Sequence, residues 1–138
     1  VLCKLPRDAE GYMGRLRCVQ EISAVTAACM MVKTSVFKAV GGFDEELKVA
    51  FNDIDLCMKV RKYGVKIVFT PYAELYHYES KSRGMEDTPE KQLRFSREVN
   101  CFRRKWEREL LKGDPYYNPN LTLNNTDCSL RKQEKNGD

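Results

Sequence analysis

The sequence predicts an α/β domain: a short mixed sheet with flanking helices and a long amphipathic C-terminal helix. Three observations carry that expectation. Residues 24–33 are apolar with few breaks and 65–70 are rich in β-branched side chains, the composition of strands. Between them Asp53, Leu56, Cys57 and Val60 recur at i, i+3, i+4 and i+7, the period of one helical face. Near the C-terminus Phe95, Val99, Phe102, Trp106 and Leu110 recur at intervals of four, three, four and four, an apolar stripe that must pack on something.

In chain order, 24–33 reads as a buried strand, and Thr34 is placed to cap a short helix ending at Gly41-Gly42. Asn52 is a good N-cap for the next helix, which Gly64 closes. The strand at 65–70 ends at Pro71, and 73–78 follows as a second strand in which Ala73, Leu75 and His77 share one face. Thr88-Pro89-Glu90 supplies a cap, a first-turn proline and a favourable acid for the long helix, which Lys112-Gly113-Asp114-Pro115 terminates. Residues 1–22 read as a leader or loop, 23–121 as the folded portion and 122–138 as a polar, disordered tail.

The helix starting at Asn52 poses the chemical question. Asp53 heads the apolar stripe and is expected to point inward; Asp55 shares its face with Met58, Lys59 and Lys62, where an i,i+4 pairing with Lys59 suits a solvated surface. Acids in a first helical turn also favour the positive end of the dipole, so both aspartates have an ordinary explanation. As a D-x-D metal pair they are poor partners, because side chains two helical positions apart diverge by about 200°. A phosphatase using both fails for want of an apolar strand immediately before them.

The order of segments is more specific than any one of them. Val25-Thr26-Ala27-Ala28-Cys29-Met30-Met31-Val32, Val40-Gly41-Gly42-Phe43-Asp44-Glu45, Phe51-Asn52-Asp53-Ile54-Asp55-Leu56-Cys57, Tyr63-Gly64, Thr70-Pro71-Tyr72-Ala73-Glu74-Leu75-Tyr76-His77-Tyr78-Glu79-Ser80 and Ser82-Arg83-Gly84 follow one another. This series resembles the C-terminal half of family 2 glycosyltransferases, inverting enzymes of the Rossmann-related GT-A fold that use nucleotide-activated sugars. The resemblance runs from about Ser23 to Leu121.

The resemblance implies a role for individual residues. Asp53 matches the aspartate of the family's "ED" motif, the general base on the acceptor hydroxyl; an inverting displacement needs a base on the face opposite the departing nucleotide. Asn52 stands where many members have glutamate. Gly42, Phe43 and Asp44 shape the acceptor side, and Arg83 is a candidate contact to the donor diphosphate, with a solvated loop arginine as the plain alternative. His77, the single histidine, is a candidate ligand for the divalent cation, Mg or Mn, that bridges the diphosphate; a satisfied half-buried histidine is the plain alternative. The implied partners of the full-length enzyme are a nucleotide-sugar donor and a glycan or lipid-linked acceptor in cell-surface polysaccharide assembly.

What the resemblance lacks lies upstream. Nothing before Ser23 supplies a nucleotide-binding βαβ half or its D-x-D, so the chain is expected to be the acceptor half alone, inactive by itself and without a tightly bound cofactor. A severed sheet edge and apolar face predict a homodimer. The reading from another class is a non-catalytic module that binds carbohydrate or protein.

Composition narrows the rest. The 138 residues include 42% hydrophobic side chains, enough for one core, but no run of 18 apolar residues to span a bilayer. Cys3, Cys18, Cys29, Cys57, Cys101 and Cys128 form no C-x-x-C pair, and reduced thiols in a cytoplasmic protein are the simpler expectation. Of the net charge of +4, residues 81–113 alone account for +4, with ten Lys or Arg against six Asp or Glu. That suits diphosphates or anionic headgroups at the inner face of a membrane, and is too mixed in sign for nucleic acid.

Overall fold

The computed structural model describes residues 6–76, 88–125 and 128–131. Its ordered elements are three α-helices, α1 (Thr34–Ala39), α2 (Asn52–Lys62) and α3 (Pro89–Leu111), two short 3-10 segments, and strands β1 (Gln20–Glu21) and β2 (Val68–Phe69). The strands pair antiparallel, with Gln20 opposite Phe69 and Glu21 opposite Val68, and Ile22 N–H extends the ladder to the Ile67 carbonyl at 3.0 Å.

Among the described residues the sheet is therefore two strands of two residues, smaller than the expected mixed sheet. Residues 24–33 form no strand. Thr26 instead accepts the Ala28 N–H and caps a 3-10 turn at Ala27–Cys29, and Met31 is 99% exposed. The apolar run has strand composition but no neighbouring strand to satisfy its backbone, and a strand without a ladder is not stable. The second expected strand fails likewise over 73–76, where Leu75 and Tyr76 lie exposed; 77 and 78 fall outside the described residues.

The helices follow their local signals more closely. α1 and α2 both end in the Schellman arrangement. In α1, Gly42 N–H reaches the Phe37 carbonyl at 2.9 Å and Gly41 N–H the Lys38 carbonyl at 3.1 Å. In α2, Val65 N–H reaches Val60 at 3.2 Å and Gly64 N–H reaches Arg61 at 2.9 Å, with Gly64 at φ +90°. Thr88 Oγ1 accepts the Lys91 N–H at 3.4 Å, so the expected cap of α3 is in place.

α2 is the centre of the molecule. On one side Leu56, Cys57 and Val60 pack with Ile67 against Ile22, Val25, Met30, Val36 and Phe37. On another, Ile54 and Met58 meet Leu47, Phe102 and Trp106, the latter two from the middle of α3. Of the α3 stripe, Phe102 and Trp106 are buried, while Phe95 and Leu110 toward the two ends stay partly exposed. A helix covered on two sides has less solvent face than a single stripe suggests, and this decides the fate of its acids.

Candidate functional site

Chain entry into α2 is set by Phe51, which caps the helix at φ +63°, ψ 5°, in the left-handed region a bulky side chain seldom adopts. Its ring is held between Phe102, stacked at 5.1 Å, and Phe95 at 6.0 Å. Asn52, expected as the cap, is the first helical residue instead. Its Oδ1 accepts the Asp53 N–H at 2.7 Å, and Asp53 Oδ1 accepts the Ile54 N–H at 2.8 Å, so the two side chains satisfy first-turn donors that Phe51 cannot. The segment before the cap is tied down by Glu98, a buried carboxylate on α3 whose Oε2 accepts the Ala50 N–H at 2.7 Å.

Asp53 is half-buried. Its Oδ2 accepts the Ala27 N–H at 3.1 Å, joining α2 to the 3-10 turn, and among the described residues it pairs with no lysine or arginine. Below it Cys57 donates to the Val25 carbonyl at 3.6 Å; burial, with Asp53 adding to it, raises the thiol pKa and keeps the sulfur protonated.

Asp55 reverses the sequence expectation. It is fully buried, at 0% exposure, and not on a solvated face. Oδ1 accepts from Trp106 Nε1 at 2.8 Å and lies 2.8 Å from Lys105 Nζ; Oδ2 lies 3.2 Å from Lys59 Nζ. The i,i+4 partner is the expected one, but α3 packs over that face and brings a second cation and an indole donor. Lys59 and Oδ2 are close without the alignment of a hydrogen bond, so charge holds that contact.

Both lysines also reach the Gly41-Gly42-Phe43-Asp44 turn. Lys59 Nζ donates to the Gly42 carbonyl at 2.6 Å, and Lys105 Nζ donates to Asp44 Oδ2. Lys105, helped by the Glu46 N–H, holds the Asp44 carboxyl below the usual aspartate range. Burial works against the Lys105 ammonium, but Asp44 and Asp55 outweigh it and raise its pKa. Phe43 sits edge-on to Phe37 at 5.5 Å, and Gly42 is buried against the same ring. The structure thus gathers Gly42 and Asp44 around Asp55, while Asp53 is joined to Ala27.

His77 and Arg83 lie outside the described residues. Among the described residues no three His, Cys, Asp or Glu side chains converge as a cation site. A groove of about 790 Å³ separates residues 7–17 from 69–74, with Arg7 paired to Glu74 at 2.5 Å, but Asp53 does not line it. Cys18, Cys29, Cys57, Cys101 and Cys128 are all free thiols. Among the described residues no helix is long and apolar enough to cross a membrane.

The residues that sequence reasoning missed are Lys105, Trp106 and Glu98 as partners of the α2 region. One signal was available: a tryptophan on a buried stripe needs an acceptor for its N–H, and an acid on a neighbouring helix is a natural one.

No family profile matches the chain, and no solved structure does. It is 56% identical over 126 residues to "Uncharacterized protein y4gI" of Sinorhizobium fredii, which covers 91% of this chain and 14% of that protein. It is 39% identical over 115 residues to "O-antigen biosynthesis protein RfbC" of Myxococcus xanthus, covering 83% of this chain and 9% of that protein. Over 62 residues, 45% of this chain and 20% of the other, it is 36% identical to the N-acetylglucosaminyl-diphospho-decaprenol L-rhamnosyltransferase of Mycobacterium tuberculosis. The chain spans only 14% and 9% of the first two of these relatives. These likenesses support a glycosyltransferase relationship for this chain.

Proposed function

We propose that this chain carries the acceptor side of an inverting glycosyltransferase of the GT-A type, acting in cell-surface polysaccharide assembly with Asp53 as general base. The observation that carries the reading is the contrast between two carboxylates on one helix. Asp55 is enclosed and neutralised by Lys59 and Lys105, whereas Asp53 is half-buried, oriented by the Ala27 and Ile54 N–H groups and without a cation partner among the described residues. A base must be placed but not pre-empted: the acceptor hydroxyl needs a carboxylate lone pair that no cation occupies. The protein names among the relatives point to the same chemistry.

In this reading the acceptor hydroxyl approaches the Asp53 carboxylate, gives up its proton as it attacks the anomeric carbon, and the nucleotide leaves from the opposite face. The Ala27 and Ile54 N–H groups hold Oδ2 and Oδ1, and each oxygen keeps a second lone pair for the acceptor. The greater part of the nucleotide-sugar site is assigned to sequence outside residues 1–138, in keeping with relatives many times longer. From this chain His77 would join the ligands of a divalent cation there and Arg83 would meet the diphosphate.

The test is Asp53→Asn in a polypeptide that carries this chain and transfers sugar. The amide oxygen keeps one of the two backbone bonds, to Ala27 or to Ile54, so a modest stability loss is expected and is measured alongside, while transfer falls by at least ~10²-fold with donor affinity nearly unchanged. Retention of full activity would exclude Asp53 as the base.

A further inference from the structure

We infer that Asp55 is a positioning residue: through Lys59 and Lys105 it locks the Gly42–Asp44 turn to the helix that carries Asp53. This deepens the transferase reading and rests on it for its functional consequence, though not for its geometry.

Each lysine is a two-ended clamp. Lys59 Nζ lies 3.2 Å from Asp55 Oδ2 and 2.6 Å from the Gly42 carbonyl; Lys105 Nζ lies 2.8 Å from Asp55 Oδ1 and also bonds Asp44 Oδ2. One enclosed carboxylate is therefore the common anchor for two cations that grip two consecutive parts of the turn. Two positive and two negative charges balance within the cluster, and the side chains of Lys59 and Lys105 are only 18% and 33% exposed. For the turn to shift against α2, either Lys59 must leave the carbonyl or a charge pair must part in a place with little water to replace it. Trp106 adds a donor to Oδ1 and fixes the carboxylate plane. Asp53 lies two residues away on the same helix, so the turn keeps its place relative to Asp53.

A purely structural role would look different. Loss of general stability speeds amide exchange throughout the protein, whereas loss of a clamp speeds it in the part that was clamped. The amides to follow are Gly42, bonded to the Phe37 carbonyl, and Glu46 and Leu47, bonded to Asp44; Ile22 and Gly64, bonded elsewhere, serve as references. In this chain Lys59→Met should raise exchange at Gly42, Glu46 and Leu47 by about tenfold over any rise at Ile22 and Gly64. Asp55→Asn, which keeps the shape and an acceptor for Trp106, should do the same. The double variant should be no worse than the more severe single, because Asp55→Asn already removes the anchor of the Lys59 clamp.

An equal rise at all five amides, or none at the turn, would overturn the inference. So would additive effects in the double variant. In a polypeptide with transfer activity, Lys59→Met should raise the acceptor KM several-fold and leave the donor KM in place; an effect on kcat alone would overturn the functional part. If no longer polypeptide that carries this chain transfers sugar, the transferase reading fails and the exchange result still decides whether Asp55 clamps the turn.

Discussion

Trp106 Nε1 donates to Asp55 Oδ1 at 2.8 Å, with both residues buried, so the long C-terminal helix is joined to α2 by a directed bond as well as by apolar packing. Lys62 and Lys105 lie 5.7 and 5.8 Å from the centre of the same indole ring. Trp106→Phe should keep most of the ring contact and remove the donor, leaving Oδ1 with Lys105 alone. The expected loss is about 1–3 kcal/mol of unfolding free energy, the cost of stripping one bond from a buried charged acceptor. Chemical denaturation measures it; a neutral substitution would mean that Lys105 takes up the vacated lone pair at no cost.

The charges of this cluster set a pH dependence. Asp44 has a folded pKa below its unfolded one, chiefly because of Lys105 and then the Glu46 N–H. Its contribution is therefore fully present above the unfolded aspartate value of about 3.9 and fades as pH falls through the lower folded value. Lys105 is the opposite case: burial lowers its pKa, but Asp44 and Asp55 raise it further, so its contribution holds below the unfolded lysine value of about 10.4 and is lost as pH rises through the folded one. Stability should be flat near neutrality and fall below about pH 4. Lys105→Met should lower the plateau and shrink the acid-side drop, as urea titrations at pH 3, 4 and 7 would show; an unchanged drop would place acid sensitivity elsewhere.

The helices were legible in the sequence because their signals are local. The Thr88-Pro89-Glu90 start, the glycines at 41, 42 and 64 and the α2 period all act within a few residues of where they stand. The sheet was less legible, because the apolar run at 24–33 has strand composition while a strand depends on a neighbour far along the chain. Asp55 was misplaced for a related reason. Its periodic face predicts solvent only if nothing packs there, and the packing of α3, 51 residues away at Trp106, is invisible to local spacing. Asp53 was expected to point inward at the head of the stripe; it is half-buried there, less enclosed than Asp55, and bonded to Ala27, a partner that was not foreseen.

The paired glycines after α1 offer a direct comparison. Gly41 and Gly42 both have positive φ, +79° and +63°, but a Cβ on Gly41 meets nothing within 4 Å, whereas one on Gly42 lies 3.1 Å from two ring carbons of Phe37. Gly41→Ala should cost only the left-handed backbone penalty, about 1–2 kcal/mol. Gly42→Ala adds crowding against Phe37 and should cost about 1 kcal/mol more. It should also push on the Phe37–Phe43 pair, so a near-ultraviolet dichroism change is expected for Gly42→Ala and not for Gly41→Ala. Equal costs would show that the ring yields freely.

Phe51 places a strained backbone under a favourable stack, and substitution separates the two. At φ +63° a side chain is disfavoured, yet the ring packs on Phe102 and Phe95, so burial offsets the strain. Phe51→Ala removes the stack and keeps the strain; Phe51→Gly removes both. Alanine is normally preferred to glycine in the neighbourhood of a helix, by about 0.5–1 kcal/mol in its interior. Here the order should invert, with the glycine variant more stable than the alanine variant by about 1 kcal/mol and both well below the parent. Because this residue sets how the chain enters α2, the two variants also differ in how firmly Asp53 is held: the glycine hinge should loosen the Asp53–Ala27 contact, seen as faster exchange at the Ala27 amide relative to its unfolding free energy. If alanine proves the more stable of the two, the left-handed turn at Phe51 is not a strained one, and the entry into α2 is fixed by Glu98 and its bond to Ala50 instead.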